Sequence, residues 1–178
     1  MNVPDFRQDA ELIDAVNSGD GKAFEVLYFR YRDWVVRLAQ RFTGNDEDSL
    51  DVLQETFAYL HRKFPGFVLT ARMTTFLYPV VRNLSIAARR KRRRFISDDA
   101  ALELFQAAPP QDMGSELPRV LAMLPTTHRE VLLMRFVDGM SLNEIAQALD
   151  ISVGTVKSRL HNGLQKLRED PTTRAFFE

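Results

Sequence analysis

Two groups of residues in this sequence have the types and spacing to hold a polyanion. Arg89-Arg90-Lys91-Arg92-Arg93-Arg94 is an unbroken run of six cations. Residues 71–94 carry eight basic side chains and no acidic one, whereas residues 1–70 and 95–124 are each net −4. The whole chain is neutral, so the positive charge is a local band rather than a property of the entire surface. Taken alone, that band is equally consistent with a solvated helix end. The second group is the segment SVGTVKSRLHNGLQKLRE, residues 152–169. At 100° per residue, Val153, Val156, Leu160, Gly163, Leu164 and Leu167 share one face. Thr155, Ser158, His161, Asn162 and Gln165 share the opposite one. Lys157 and Arg168 lie on one flank, Arg159 and Lys166 on the other. Short neutral hydrogen-bonding side chains between two cationic flanks suit a helix seated in the major groove, with base edges ahead and a phosphate ridge on each side. An ordinary surface helix also snorkels Lys and Arg at its apolar border, so the elements around it must decide.

Other chemistries find little support. There is no cysteine, which excludes disulfides, thiolate metal sites and cysteine nucleophiles and fits a reducing, cytoplasmic setting. Three scattered histidines make no metal-ligand set, and no glycine-rich phosphate loop is present. Asp46, Glu47 and Asp48 read as acids placed by the dipole at a helix start. The expectation is a protein with no enzymatic activity, cofactor or metal. MNVPDFRQDAELID has no apolar run behind a basic start and reads as no signal peptide, and no stretch has the length of a membrane span.

The elements read as helices throughout, with no alternating β-branched runs. Asp20 caps a long helix whose apolar side is Ala23, Phe24, Leu27, Tyr31, Trp34, Val35, Leu38 and Phe42, and Gly44 follows its end. A second helix is expected from about Asp46 to Phe64, stopping at Pro65-Gly66. A third starts near Thr70 and runs into the basic block; Pro79 should bend it by removing a donor. Residues 95–115, acidic and containing Pro109-Pro110, read as a linker with a helical turn at 100–105. Beyond it, Thr127-His-Arg-Glu130 and Ser141-Leu-Asn-Glu144 both match the capping box. Gly139 separates two helices, Asp150-Ile151 makes a tight turn, and Ser152 caps the last helix. Two helices joined by so short a turn make a helix-turn-helix. The fold expected is all-α: two small helical domains joined by a linker, the C-terminal one a helix-turn-helix, with boundaries at 1–94, 95–115 and 116–178.

LPTTHREVLLMRFVDGMSLNEIAQALDISVGTVKSRLHNGLQKLRE resembles the promoter-binding C-terminal domain of bacterial sigma factors. DSLDVLQETFAYLHRKF is similar to the polymerase-binding helix of their N-terminal module, and FLYPVVRNLSIAARRKRRR to its −10-reading helix. With two domains and a short linker, the chain looks like the extracytoplasmic-function (ECF) group of the sigma-70 family. That resemblance implies a factor that binds RNA polymerase core, directs promoter-specific initiation and helps separate the −10 strands. It implies that Asp51, Gln54, Glu55 and Phe57 dock on the clamp helices of the polymerase's largest subunit. It places Phe67, Arg72, Arg82, Asn83, Arg89 and Arg90 at the −10 element. Thr155, Lys157, Ser158, Arg159, His161, Asn162 and Lys166 then meet the −35 element. Promoter DNA is a partner, and the family admits an anti-sigma factor as another. Phe76 reads as core packing. The competing reading is a LuxR-type regulator, which shares a similar helix-turn-helix but carries it on an α/β receiver or ligand-sensing domain that this N-terminal half does not resemble.

Overall fold

The computed structural model describes residues 5–96, 117–170 and 173. The expected linker, including its helical turn at 100–105, falls outside these residues apart from its first two positions. Among the described residues there are eight helices and no strand: α1 (Asp9–Asn17), α2 (Gly21–Thr43), α3 (Asp46–His61), α4 (Met73–Ile96), α5 (Leu117–Met123), α6 (Thr126–Phe136), α7 (Leu142–Leu149) and α8 (Val153–Glu169). The all-α expectation holds. α1 was not foreseen.

Local chemistry sets most helix ends. The Asp20 carboxylate accepts from the Lys22 and Ala23 amides and starts α2, which ends at Gly44 with φ 75°. A cap of this kind is worth about 1 kcal/mol, and the left-handed C-terminal position costs glycine least. Ser141 and Glu144 form the expected capping box on α7, and Ser152 accepts from the Thr155 amide at the head of α8. Thr127 and Glu130 do not form one. α6 begins two residues earlier, at Thr126 behind Pro125, and Glu130 is turned toward the other domain. α4 passes through Pro79 as one helix. Proline lacks the amide that would bond the Thr75 carbonyl, and the Thr75 hydroxyl is buried without a partner.

α2, α3 and α4 pack together, with α1 against α2. Leu12, Leu27, Leu38, Leu60, Leu77 and Val81 are fully buried between them. α6, α7 and α8 form the second bundle, and α4 lies against α7. The main core runs through both bundles without a break, joining Leu38 and Tyr78 to Val131, Met134, Ile145 and Val156. A smaller cluster gathers Leu121, Leu124, Leu132 and Leu167 behind α8. The buried guanidinium of Arg129 donates to the carbonyls of Leu121, Ala122 and Leu124, closing the end of α5. None of the described helices is long and apolar enough to cross a membrane.

Candidate nucleic-acid interface

α8 divides as its sequence pattern requires. Val156, Gly163 and Leu167 are buried, while Lys157, Ser158, His161, Asn162, Gln165 and Lys166 are exposed. Thr155 and Arg159 are half-buried. The Thr155 hydroxyl lies 2.9 Å from Ser152 Oγ, inside the cap of the helix. The turn before α8 closes through Asp150, held at φ 52°, and through the Ile151 amide, which donates to the Ala146 carbonyl. Glycine at 163 lets α8 approach α6 closely; a Cβ there would stand 2.9 Å from Leu132 Cδ1. His128, on α6, has a buried Nδ1 without a hydrogen-bond partner. Burial first, then Lys166 and Arg159, hold its pKa below the ordinary histidine value.

The acidic face of α3 is also present. Asp51, Gln54 and Glu55 are exposed, with the exposed apolar side chain of Leu50 beside them. Phe57 does not share that face. It is 5 % exposed, and its ring meets Tyr28 edge-on at 4.8 Å. An aromatic one turn from polar residues faces inward here because α2 packs on that side of α3.

The residues expected at the −10 element separate into three kinds. Phe67 is buried, its ring between Phe64 and Phe76, and is therefore not an open stacking platform in this conformation. Phe76 packs against it and against Tyr59, as core packing requires. Asn83 and Arg90 are exposed, and Arg89 donates to the Phe42 carbonyl at 3.4 Å. Arg72 and Arg82 reach across to the C-terminal bundle. Arg82 Nε donates to Glu130 Oε1 at 2.6 Å, and Arg72 Nε lies 3.2 Å from Glu144 Oε1.

The sequence reading missed further parts of this seam. Tyr78, almost fully buried, donates its hydroxyl to Glu130 at 3.1 Å. Burial first, then the Glu130 charge, pushes its pKa well above the ordinary tyrosine value. Arg41 Nη2 donates to both oxygens of Asp138, at 2.6 and 2.7 Å. Burial raises the Asp138 pKa, against the pull of Arg41 and Trp34. The sequence reading also missed Asn17, which binds the loop before α4. Among the described residues no cluster of metal-ligating side chains occurs.

Comparison with known proteins gives this geometry a context. The sigma-70 region 2 model matches residues 27–95 and the sigma-70 region 4 model matches residues 115–167. The chain is 29 % identical over 174 residues to the ECF RNA polymerase sigma factor SigW of Bacillus subtilis, covering 88 % of this chain and 93 % of that one. It is 32 % identical over 169 residues to the ECF RNA polymerase sigma-E factor of Escherichia coli, covering 85 % and 88 %. Among solved structures it is similar in fold to the sigma factor RpoE in complex with the anti-sigma factor NepR from Bartonella quintana. There the TM-score is 0.64 at 24 % identity, over 83 % of this chain and 96 % of that one. The region 2 match across residues 27–95 and the sigma-factor relatives support the sigma-factor reading and give none to the LuxR-type one.

Proposed function

This chain belongs to the extracytoplasmic-function group of the sigma-70 family, as a factor that binds RNA polymerase and directs promoter-specific initiation, and we propose which of its surfaces performs each part of that work. The observation that carries the reading is the α8 surface, a neutral hydrogen-bonding ridge between cationic flanks on a capped helix of a helix-turn-helix. Ser158, His161 and Asn162 read base edges of the −35 element. Lys157, Arg159 and Lys166 hold phosphates on either side, and Thr155 fixes the first turn. The basic length of α4, with Arg82, Asn83, Arg89 and Arg90, together with Arg72 just before it, meets the −10 element and favours its separated strands. Asp51, Gln54 and Glu55 dock on the clamp helices of the polymerase's largest subunit, where an acidic stripe one helical turn long fits basic partner residues.

The division of labour follows domain limits of 1–94 and 116–178, with residues 95–115 joining them. The protein acts in the cytoplasm, where its polymerase is, and supplies positioning rather than catalysis. An anti-sigma factor is a partner of the kind seen with similar folds. Reconstitution with purified core polymerase tests the reading. Discrete transcripts should appear only when both components are present, and their 5′ ends, mapped after overproduction in cells, should share −35 and −10 sequences. Tight, sequence-specific binding of duplex DNA by a dimer of this chain without polymerase would contradict it.

A further inference from the structure

A ladder of aromatic rings beside the loop that enters α4 runs from the core to the solvent. Phe64 meets Phe67 at 5.5 Å and Phe67 meets Phe76 at 4.9 Å. Phe76 in turn stacks on Tyr59, near the end of α3, at 6.3 Å with the ring planes 28° apart. Phe67 is buried, whereas Phe76 and Tyr59 are half-buried. Lys63 covers the outer end: its ammonium stands 4.7 Å from the centre of the Tyr59 ring and pairs with no carboxylate among the described residues. The ladder opens on a particular side of α4. Phe76, Asn83 and Arg90 are spaced by seven, each step about 20° short of two full turns, so they share one side of the helix. Asn83 and Arg90 are exposed there, while Arg82 turns away to Glu130. This side of α4 therefore has a cation toward one end, an amide in the middle and a stack of rings at the other end. A groove for a single strand needs these parts: cations that follow the backbone and π faces on which any base can lie. An exposed cation over a ring is common on protein surfaces and contributes little. A stacked base contributes more, so it can take the place of Lys63, whose ammonium stays within reach of that nucleotide's phosphate.

We propose that Tyr59 and Lys63 form a nucleotide site on α3 that extends the −10 face beyond the N-terminal end of α4: a base of the separated strand stacks on Tyr59 in place of the Lys63 ammonium, which pairs with its phosphate. The site rests on the reading of α4 as the −10 helix and adds to it two residues of the helix otherwise assigned to the polymerase. Phe76 supports the Tyr59 ring from behind and keeps its packing role. Because every base has a π face, the site adds affinity for the open strand without choosing a base.

The test uses holoenzyme reconstituted with core polymerase. The probes are fluorescein-labelled single strands spanning the −10 region of a promoter mapped from transcript 5′ ends, intact or with one nucleotide at a time made abasic. With the unmutated chain, removing the base that lies on Tyr59 should weaken binding on the order of tenfold, while all four bases are tolerated alike at that position. Tyr59→Leu keeps an apolar contact with Phe76 but offers no π face. It should weaken binding of the intact strand by a similar factor and become indifferent to the abasic change at that one position. Tyr59→Phe should bind as the unmutated chain does, and Lys63→Ala should flatten the log–log salt slope by about 0.7. Tyr59→Leu overturns the site if it binds the intact strand normally, or if it remains sensitive to every abasic position that the unmutated chain senses. So does a weaker affinity of Tyr59→Leu for core polymerase, since Glu55 stands one turn earlier on α3 and Tyr59 would then belong to the docking face. Asn83→Ala separates the site from the reading it rests on. If Asn83→Ala weakens binding and Tyr59→Leu does not, the −10 face stands without this site. If neither does, both fall. If Tyr59→Leu alone does, with its abasic signature, the site stands and Asn83 leaves the −10 face.

Discussion

Asn17 and Phe67, fifty residues apart, hold each other through one side-chain amide: Asn17 Nδ2 donates to the Phe67 carbonyl at 2.9 Å, and Asn17 Oδ1 accepts from the Phe67 amide at 3.1 Å. The same oxygen accepts from the Gly66 amide at 2.7 Å. The end of α1 is thereby tied to the loop that enters α4, so a helix outside the segment matched to region 2 shapes the face proposed for the −10 element.

Replacing Asn17 with Ala removes three hydrogen bonds to partly exposed backbone. The full chain should lose roughly 1–2 kcal/mol of stability, and the Gly66 and Phe67 amides should exchange faster with solvent. Asn17→Asp keeps the acceptor and should lose less. Unchanged exchange at those two amides in Asn17→Ala would show that the clamp does not hold the loop.

Gly163→Ala forces a methyl group to within 2.9 Å of Leu132 Cδ1, with His128 Cβ at 3.5 Å behind it. Overpacking of this kind costs about 1–3 kcal/mol. Thermal melting should show the loss, and Leu132→Val in the same chain should recover part of it by making room. An alanine that stabilises the chain, as it would on an open helix face, would contradict the close approach of α6 and α8.

What could be read from the sequence was what local chemistry decides. Asp20, Gly44, Ser141 and Ser152 act on backbone within a few residues, so their roles were visible in residue types and spacing. The alternation of α8 was visible because its apolar side faces one bundle throughout. Glu130 was misread for the opposite reason. Its position matched a capping pattern, but its partners, Tyr78 and Arg82, lie 52 and 48 residues away. Arg41 and Asp138 are 97 residues apart, and nothing near either one marks the pair. Phe57 and Phe67 point inward because of helices whose placement no short window contains. α1 escaped notice because only two of its side chains, Leu12 and Ile13, are buried, too few to set up a periodic signal.

Charge reversal on α3 tests polymerase docking. Asp51 and Glu55 are exposed and make no contact that the fold requires, so Asp51→Lys with Glu55→Lys should leave the melting temperature nearly unchanged. Affinity for core polymerase should fall at least about tenfold, since like charges facing each other across an interface cost several kcal/mol. Fluorescence titration with labelled chain measures this. Unchanged affinity would move the docking face elsewhere.

His128 gives a pH dependence. Its folded pKa lies below the ordinary value, chiefly through burial and then through Lys166 and Arg159. A depressed pKa means that the native state takes up the proton less readily than the unfolded chain. The stability this confers is full above the unfolded value of about 6.5 and is lost as pH falls through the folded one. Screening by solvent keeps the effect small. NMR titration should place the His128 midpoint below 6.5, and His128→Gln should flatten the decline in stability on that side. A midpoint above the unfolded value would reverse the sign and contradict the burial of His128 Nδ1.

The most direct test of α8 as the −35 reader is a matrix of alanine variants against single-base −35 variants, measured with reconstituted holoenzyme at two or more salt concentrations. Lys157→Ala, Arg159→Ala and Lys166→Ala should weaken binding by similar factors on every sequence, and each should flatten the log–log salt slope by about 0.9 for every phosphate no longer neutralised. Ser158→Ala, His161→Ala and Asn162→Ala should instead cost about 1–3 kcal/mol on the preferred sequence and relax the preference at one position each. If none of the three ridge variants shifts any base preference, α8 does not lie in the major groove and the account of this chain's −35 recognition is wrong.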